Sequence, residues 1–464
     1  MAVIPAGFPA ASMQTPRPKQ NPVPGDALPC IVSNHERDAP RRPNRHMKQP
    51  SLSWSAASAT LPALLGLFMV GIPTGFLSSL TTLRLDAAGQ SSLVVGVVSS
   101  AYFLGLTLGA IFNDRVLSRV GHIRAYSGFA CVITVTALLQ GLGDSAWLWT
   151  LLRFFYGWAT VGVYLVIESW LLLATPPQTR GRILAIYMVA LYGSMMLAQV
   201  KLGAIMAIGP VAPFLVAGVL ASLSTLPIVI LPRTTPVVEQ LDALPLRQAW
   251  RLAPTGVIGS LGSGVALAAI YALLPLYLQR SGWSESQVGH LMAATILGAM
   301  VLQYPVGRWS DNRDRRSVLV VLGALLLATA VGLLTLPLGF GSLATALFVL
   351  GGIVFTIYPV SVSFAADRTD ASRLVPMIQA LLLINSAGSA LSPLAIAAVM
   401  GRIGPRGFVW SFAVLGALLV VLFLWRKNNR AAPEEVTPFT AAPPLSPAGV
   451  ELRVTEELGS DESS

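Results

Sequence analysis

The sequence predicts an all-α membrane protein with twelve transmembrane helices in two six-helix bundles, and three observations carry that expectation. Of the 464 residues, 54% are hydrophobic and only 11% are charged, against about 25% charged in a soluble domain. The apolar residues gather in runs of about 20, the length that crosses roughly 30 Å of hydrocarbon. Two stretches 193 residues apart, 96–124 and 289–316, repeat one pattern, a glycine-punctuated apolar helix running into a short basic loop. Gly96 pairs with Gly289, Gly105 with Gly298 and Ser118 with Asp311 at that offset, as two membrane halves descended from one unit would.

Taken in order, residues 1–50 are rich in Pro, Asn and Arg and hold no apolar run of signal-sequence length, so a disordered cytoplasmic tail is expected. Six spans follow at 54–79, 91–112, 124–142, 147–173, 183–206 and 211–231, within a first bundle of 51–231. A polar linker, 232–252, carries Pro232, Pro236, Glu239, Asp242 and Pro245. Six more spans at 253–279, 287–307, 317–338, 342–365, 374–400 and 406–426 make a second bundle of 253–426. Residues 427–464 turn Pro/Ala-rich and then acidic, which reads as a second disordered cytoplasmic tail. Nine of the ten tryptophans lie at or near span ends, Trp158 being the exception, consistent with a side chain that prefers the membrane interface.

The net charge of +10 would suit nucleic-acid binding if the basic residues were clustered. They instead fall on alternate loops: with residues 1–50 inside, 25 of the 31 lysines and arginines lie on inside segments, and only Arg84, Arg280, Arg402 and Arg406 lie on outside ones. That asymmetry places both termini in the cytoplasm of a multi-pass protein, with the lipid bilayer and no nucleic acid as its surroundings. The two cysteines, Cys30 in the tail and Cys131 in a span, give no disulfide framework.

The loop after the eighth span reads GRWSDNRDRR from Gly307 to Arg316. Here the chain resembles the major facilitator superfamily, whose signature between the second and third helices of a half is Gly-x-x-x-Asp-Arg-x-Gly-Arg-Arg. Gly307, Asp311, Arg315 and Arg316 match it, while Asn312 replaces an arginine and Asp314 falls near the second glycine. The first-half loop, NDRVLSRVGHIR, offers Arg115, Arg119, Gly121 and Arg124, with Ser118 at the acidic position and Asp114 as its substitute four residues earlier. The resemblance spans roughly 54–426 and implies that these residues latch one conformation; anchoring of basic loops by the inside charge rule is the plainer account. The segments 83–105 and 281–311, Arg153-x-x-x-Gly157 and Arg180-Gly-Arg182 are similar to a bacterial inner-membrane branch of ill-defined substrate, in which the arginine motif marks proton-linked efflux.

Arg153 also stands out on its own chemistry, because an arginine within a span costs at least a few kcal/mol unless it meets a partner or water. Arg153, Tyr156, Thr160, Tyr164 and Glu168 recur at helical spacing and share one face. That polar stripe should line a pathway, with Arg153 and Glu168 about 22 Å apart. The alternatives are snorkelling of Arg153 to the outer interface and pairing of Glu168 with Arg180 or Arg182. Lys201, near the outer end of the fifth span, is expected to snorkel. In the eleventh span Asn385, Ser389 and Ser392 share a face, to line the cavity or to bond a neighbouring helix.

No lysine follows a glycine, so there is no phosphate-binding Walker loop. Four scattered histidines make no zinc motif. No enzyme, cofactor or metal is expected. The reading is a monomeric secondary transporter that moves a small organic solute by alternating access, with proton-coupled efflux as the energy scheme and Glu168 as its acidic group. An uncoupled facilitator and a non-transporting sensor or scaffold on the same fold are the competing classes.

Overall fold

The computed structural model describes residues 54–175, 179–229, 244–337 and 339–428, and of 54–59, 172–174, 180–181, 371 and 427–428 the backbone alone. Both tails and residues 232–243 of the linker lie outside the described residues. Among the described residues, fourteen helices occur in order: α1 (Trp54–Ala87), α2 (Ser92–Val120), α3 (His122–Gln140), α4 (Ala146–Ala174), α5 (Arg180–Met206), α6 (Ala212–Leu223), α7 (Thr225–Val229), α8 (Leu246–Leu252), α9 (Pro254–Arg280), α10 (Glu285–Asp311), α11 (Arg315–Thr335), α12 (Phe340–Ala366), α13 (Ala371–Ile403) and α14 (Gly407–Asn428). Twelve candidate membrane spans result, with α6 and α7 together forming the sixth.

Several helices overrun the expected spans, because bilayer thickness fixes only a minimum apolar length. Local chain chemistry sets the ends. α1 continues to Gly89, where φ is 74°; there the amides of Gly89 and Gln90 donate to the carbonyls of Asp86 and Leu85, a glycine-dependent helix stop. α2 runs on to Gly121, at φ 79°, whose amide donates to Leu117. The sixth span breaks where Pro227 lacks an amide for Leu223 and crowds its carbonyl, so α6 ends at Leu223 and α7 starts at Thr225. The linker is not wholly irregular, since its last residues form α8, whose Ala249 is buried.

The duplicated sequence becomes duplicated packing. In the first half α2 packs on α4, α1 on α5 and α3 on α6; in the second α10 packs on α12, α9 on α13 and α11 on α14. Between halves α2 meets α13, α5 meets α10 and α1 meets α9, the exchange expected of two units related by a pseudo-twofold axis along the membrane normal. The repeated glycines occupy equivalent contacts. A β-carbon on Gly105 would overlap the Phe154 carbonyl, and one on Gly298 the Phe348 carbonyl, each within its own half. Gly96 approaches α13 at Pro393, and Gly289 approaches α5 at Gln199, each across the halves. Small residues permit this closeness where dispersion, rather than water exclusion, must hold helices together.

Large apolar side chains such as Leu139, Leu215, Val219, Leu325, Val414 and Val421 are exposed on the perimeter, the face that lipid covers. One continuous core joins the two halves. A separate core lies at the end carrying the termini, where Leu244, Ala249, Ala253 and Val257 pack with Tyr358, Phe364, Leu374 and Leu381, all from the second half and its linker.

Candidate functional site

The α4 stripe faces the interior and not lipid: Arg153 is 3% exposed, Tyr156 0%, Thr160 0%, Tyr164 2% and Glu168 5%. Arg153 does not snorkel. Its guanidinium carbon stands 4.4 Å from the Tyr102 ring centroid and 5.2 Å from that of Tyr156, a clamp of two π faces on one cation. The motif's glycine makes the clamp possible. A β-carbon on Gly157 would overlap the Tyr102 carbonyl, so only glycine lets α2 approach α4 closely enough to lay Tyr102 on Arg153. The Nε and Nη1 atoms of Arg153 are buried without a hydrogen-bond partner.

The other stripe residues divide by what they touch. Tyr156 has its hydroxyl 3.4 Å from Thr74 Oγ1 of α1. Thr160 donates to the Tyr156 carbonyl at 2.7 Å within its own helix, so its hydroxyl is already engaged. Glu168 accepts a 2.6 Å hydrogen bond from the Tyr187 hydroxyl of α5. The expected separation from Arg153 holds by helix rise, about 22 Å, and no direct pairing joins them.

Aromatic residues the sequence did not single out complete the interior. Tyr271 of α9 gathers with Tyr192, Tyr164 and Tyr102, and the Phe355 ring of α12 lies 5.7 Å from Tyr192 and 5.8 Å from Tyr271. These rings bring both halves together at mid-depth. In an apolar helix a tyrosine looks like any core aromatic, and only the assembled bundle shows that Tyr102, Tyr164, Tyr192 and Tyr271 converge. Gln199 was equally inconspicuous. It is fully buried and donates Nε2 to the Gly75 carbonyl at 2.6 Å and to Ser79 Oγ at 2.8 Å, tying α5 to α1. Lys201, two residues on, is exposed as expected of a snorkelling lysine.

On α13 the structure selects the helix-bonding alternative over the cavity-lining one. Asn385 Nδ2 donates to the Ser260 carbonyl at 3.0 Å, Ser389 to Gly264 at 3.1 Å and Ser392 to Val265 at 2.6 Å. All three acceptors lie on α9. The donors of these side chains are thus engaged on a neighbouring backbone, while Asn385 Oδ1 is buried without a partner. A polar face at helical spacing serves a packed helix as readily as a water-filled route.

The two basic loops differ. In the second half, Arg315 is 2% exposed and its Nε lies 2.8 Å from Asp367 Oδ2, an equally buried carboxylate at the end of α12. Its contact with Asp311 is longer, 3.5 Å, and Asp311 is one-third exposed. Asp314, the departure from the signature, caps α11 by accepting from the amides of Arg316 and Ser317, at 3.3 Å each. Arg316 lies 5.6 Å from the Phe364 ring centroid, and Gly307 is buried in α10. In the first half Arg115, Arg119 and Arg124 are exposed, Arg115 lying over Phe112 at 5.5 Å, and Gly121 closes α2. Asp114 is half-buried and makes no ion pair among the described residues. Its neighbour Asn113 is the bonded one, donating to the Trp158 carbonyl at 2.9 Å.

Among the described residues, several polar contacts join the halves between mid-depth and the end remote from the termini. Arg280 of α9 reaches Asp86 of α1 at 2.7 Å and Ser92 of α2 at 2.6 Å. Thr82 donates to the Ala272 carbonyl at 2.8 Å, Ser100 accepts from the Leu394 amide at 3.1 Å, and Thr107 donates to the Ser386 carbonyl at 3.3 Å. The last of these lies near mid-depth. Toward the terminal end the second half instead closes on its own separate core.

Comparison with known proteins agrees with this architecture. A sequence profile described as Major Facilitator Superfamily matches residues 63–373 and 256–457. An uncharacterized MFS-type transporter of Enterobacter sp. (strain 638) is 32% identical over 373 residues, covering 80% of this chain and 96% of that protein. The uncharacterized MFS-type transporter YcaD of Escherichia coli O7:K1 is 32% identical over 380 residues, 81% of this chain and 98% of its own. Among solved structures, a variant of the nucleoside transporter NupG superposes with a TM-score of 0.68 at 14% identity, over 79% of this chain and 99% of that one. A D-xylose-proton symporter gives 0.65 at 13% identity, over 83% and 100%. At such identities the two structures establish the fold alone, whereas the sequence matches establish kinship: the chain belongs to the major facilitator superfamily, as a multi-pass membrane transporter.

Proposed function

We propose that the protein is a secondary active transporter that moves a small organic solute across the cytoplasmic membrane by alternating access, in the direction of efflux and coupled to protons. The observation that carries this reading is the set of contacts that joins the two halves from mid-depth to one end. Hydrogen bonds and an ion pair tie them together from mid-depth to the end bearing Arg280 and Asp86, while the terminal end of the second half has a core of its own. Two bodies joined near one end can rock about mid-depth and expose a buried site to either side. With the termini in the cytoplasm, as the arginine distribution argues, this conformation is closed to the outside.

The stripe supplies the site. Arg153 and the tyrosines form its outer part, and Glu168, hydrogen-bonded to Tyr187, is the acidic group that takes up and releases the proton. A carboxylate within a span is rarely retained without such a role. The test is solute flux in proteoliposomes under an imposed pH gradient. The wild type should accelerate flux in response to the gradient, and Glu168→Gln should lose that response while keeping exchange at equal pH. A gradient response undiminished in Glu168→Gln would remove the coupling assignment. Exchange in the wild type that ignores the gradient would favour the uncoupled facilitator.

A further inference from the structure

We infer that the Arg153 clamp recognises an anion, and that the transported solute carries a carboxylate beside a planar aromatic ring. The inference rests on the transporter reading and gives it a solute class. A guanidinium keeps its proton in proteins, so Arg153 brings a fixed positive charge to a position 3% exposed. Two of its nitrogens, Nε and Nη1, have no partner. The described carboxylates are engaged elsewhere or far off: Glu168 is about 22 Å away along α4 and bonded to Tyr187, Asp86 belongs to Arg280 and Asp144 to Arg84.

Magnitudes decide that the clamp is incomplete. Two tyrosine faces each favour a cation by about 0.5–2 kcal/mol, whereas removing an ion from water costs several kcal/mol even after the surroundings relax. A missing counter-charge is the simplest completion. A carboxylate fits it in kind, since the guanidinium fork donates in parallel to two oxygens. The surrounding side chains select what the carboxylate is attached to. Tyr102 and Tyr156 flank the guanidinium, and Tyr271 packs edge to face on Phe355 at 5.8 Å; such an aromatic surround favours a planar ring over a flexible chain. A neutral solute would leave the guanidinium uncompensated, and a cationic one would add repulsion.

Benzoate is the minimal member of this class, and benzamide is its uncharged counterpart. The full chain in lipid nanodiscs is heated with either compound at equal ionic strength, and unfolding is followed by tryptophan fluorescence. Benzoate should raise the Tm of the wild type with rising concentration, and benzamide should not. Arg153→Gln should weaken benzoate affinity roughly tenfold or more, the scale of one lost charge-assisted contact, and Arg153→Lys should fall between the two. Equal responses to benzoate and benzamide, no response to benzoate, or an unchanged response in Arg153→Gln would each overturn the inference. If Arg153→Gln is not recovered folded, the wild-type contrast between the two compounds decides by itself. Since no gradient is involved, benzoate binding without gradient-driven flux would cancel the coupled-transport reading and leave the anion site. Gradient-driven flux of uncharged solutes with no benzoate response would do the reverse.

Discussion

At the scale of single residues, burial separates groups that look alike in sequence. Asp311 occupies the signature position, yet Asp367 is the closer and more deeply buried partner of Arg315. Removing one member of a buried pair strands the other charge at about 3–5 kcal/mol, whereas a partly exposed pair contributes about 0–1 kcal/mol. Asp367→Ala should therefore lower thermal stability by about 3 kcal/mol, the low end because Asp311 remains nearby, and Asp311→Ala by about 1 kcal/mol or less. Thermal unfolding of the two purified variants checks this order, and a larger loss from Asp311→Ala would reverse the assignment. Asp367 escaped notice in the sequence because nothing near Arg315 in the chain announces a partner at the far end of α12. Asp314 was visible as a departure from the signature, and its structural use as the cap of α11 explains why an acid is useful there.

At the scale of helices, the glycines set how closely neighbours approach, and the repeat predicts which ones matter. Gly298 meets the Phe348 carbonyl where a β-carbon would have to stand, while Gly332 in α11 has nothing nearer than Leu336 at 3.9 Å. Gly298→Ala should force α10 from α12 and cost about 1–3 kcal/mol, and Gly332→Ala should be neutral or stabilise by up to about 1 kcal/mol through helix propensity. Unfolding midpoints of both variants in one detergent make the comparison, and equal effects would refute the close-packing account. The stripe on α4 shows the complementary limit. Helical spacing puts Arg153, Tyr156, Thr160, Tyr164 and Glu168 on one face, and all five are buried; the same argument applied to α13 selected Asn385 and Ser389, which bond α9. Spacing gives a shared face, and only the neighbouring helix tells whether that face meets solvent or backbone.

For the whole molecule, Arg280 and Asp86 act as the fastening at one end of the bundle. Their side chains are 27% and 17% exposed, so the pair contributes no more than about 1 kcal/mol. That is enough to shift a two-state population about two- to fivefold. Arg280→Ala should open that end more often, and Thr82→Cys in a background without Cys30 and Cys131 should then react about two- to fivefold faster with a membrane-impermeant maleimide. Thr82 is buried and bonds the opposite half, so its labelling reports separation of the halves. Asp86→Asn should give a smaller increase, since the Arg280 bond to Ser92 persists; no change in either variant would mean the fastening lies elsewhere.

The sequence by itself determined the twelve spans, the duplication and the inward-facing stripe of α4. Each follows from hydrocarbon thickness, from a fixed offset or from the helical period, all of which act along the chain. Tertiary structure alone decided that α13 uses its polar face to hold α9, that Asp367 secures Arg315, and that Tyr102 reaches over Gly157 to lie on Arg153. Those outcomes depend on the rotation and spacing of helices distant in sequence. A linear pattern records neither, because which side chains meet is set by how the bundle packs.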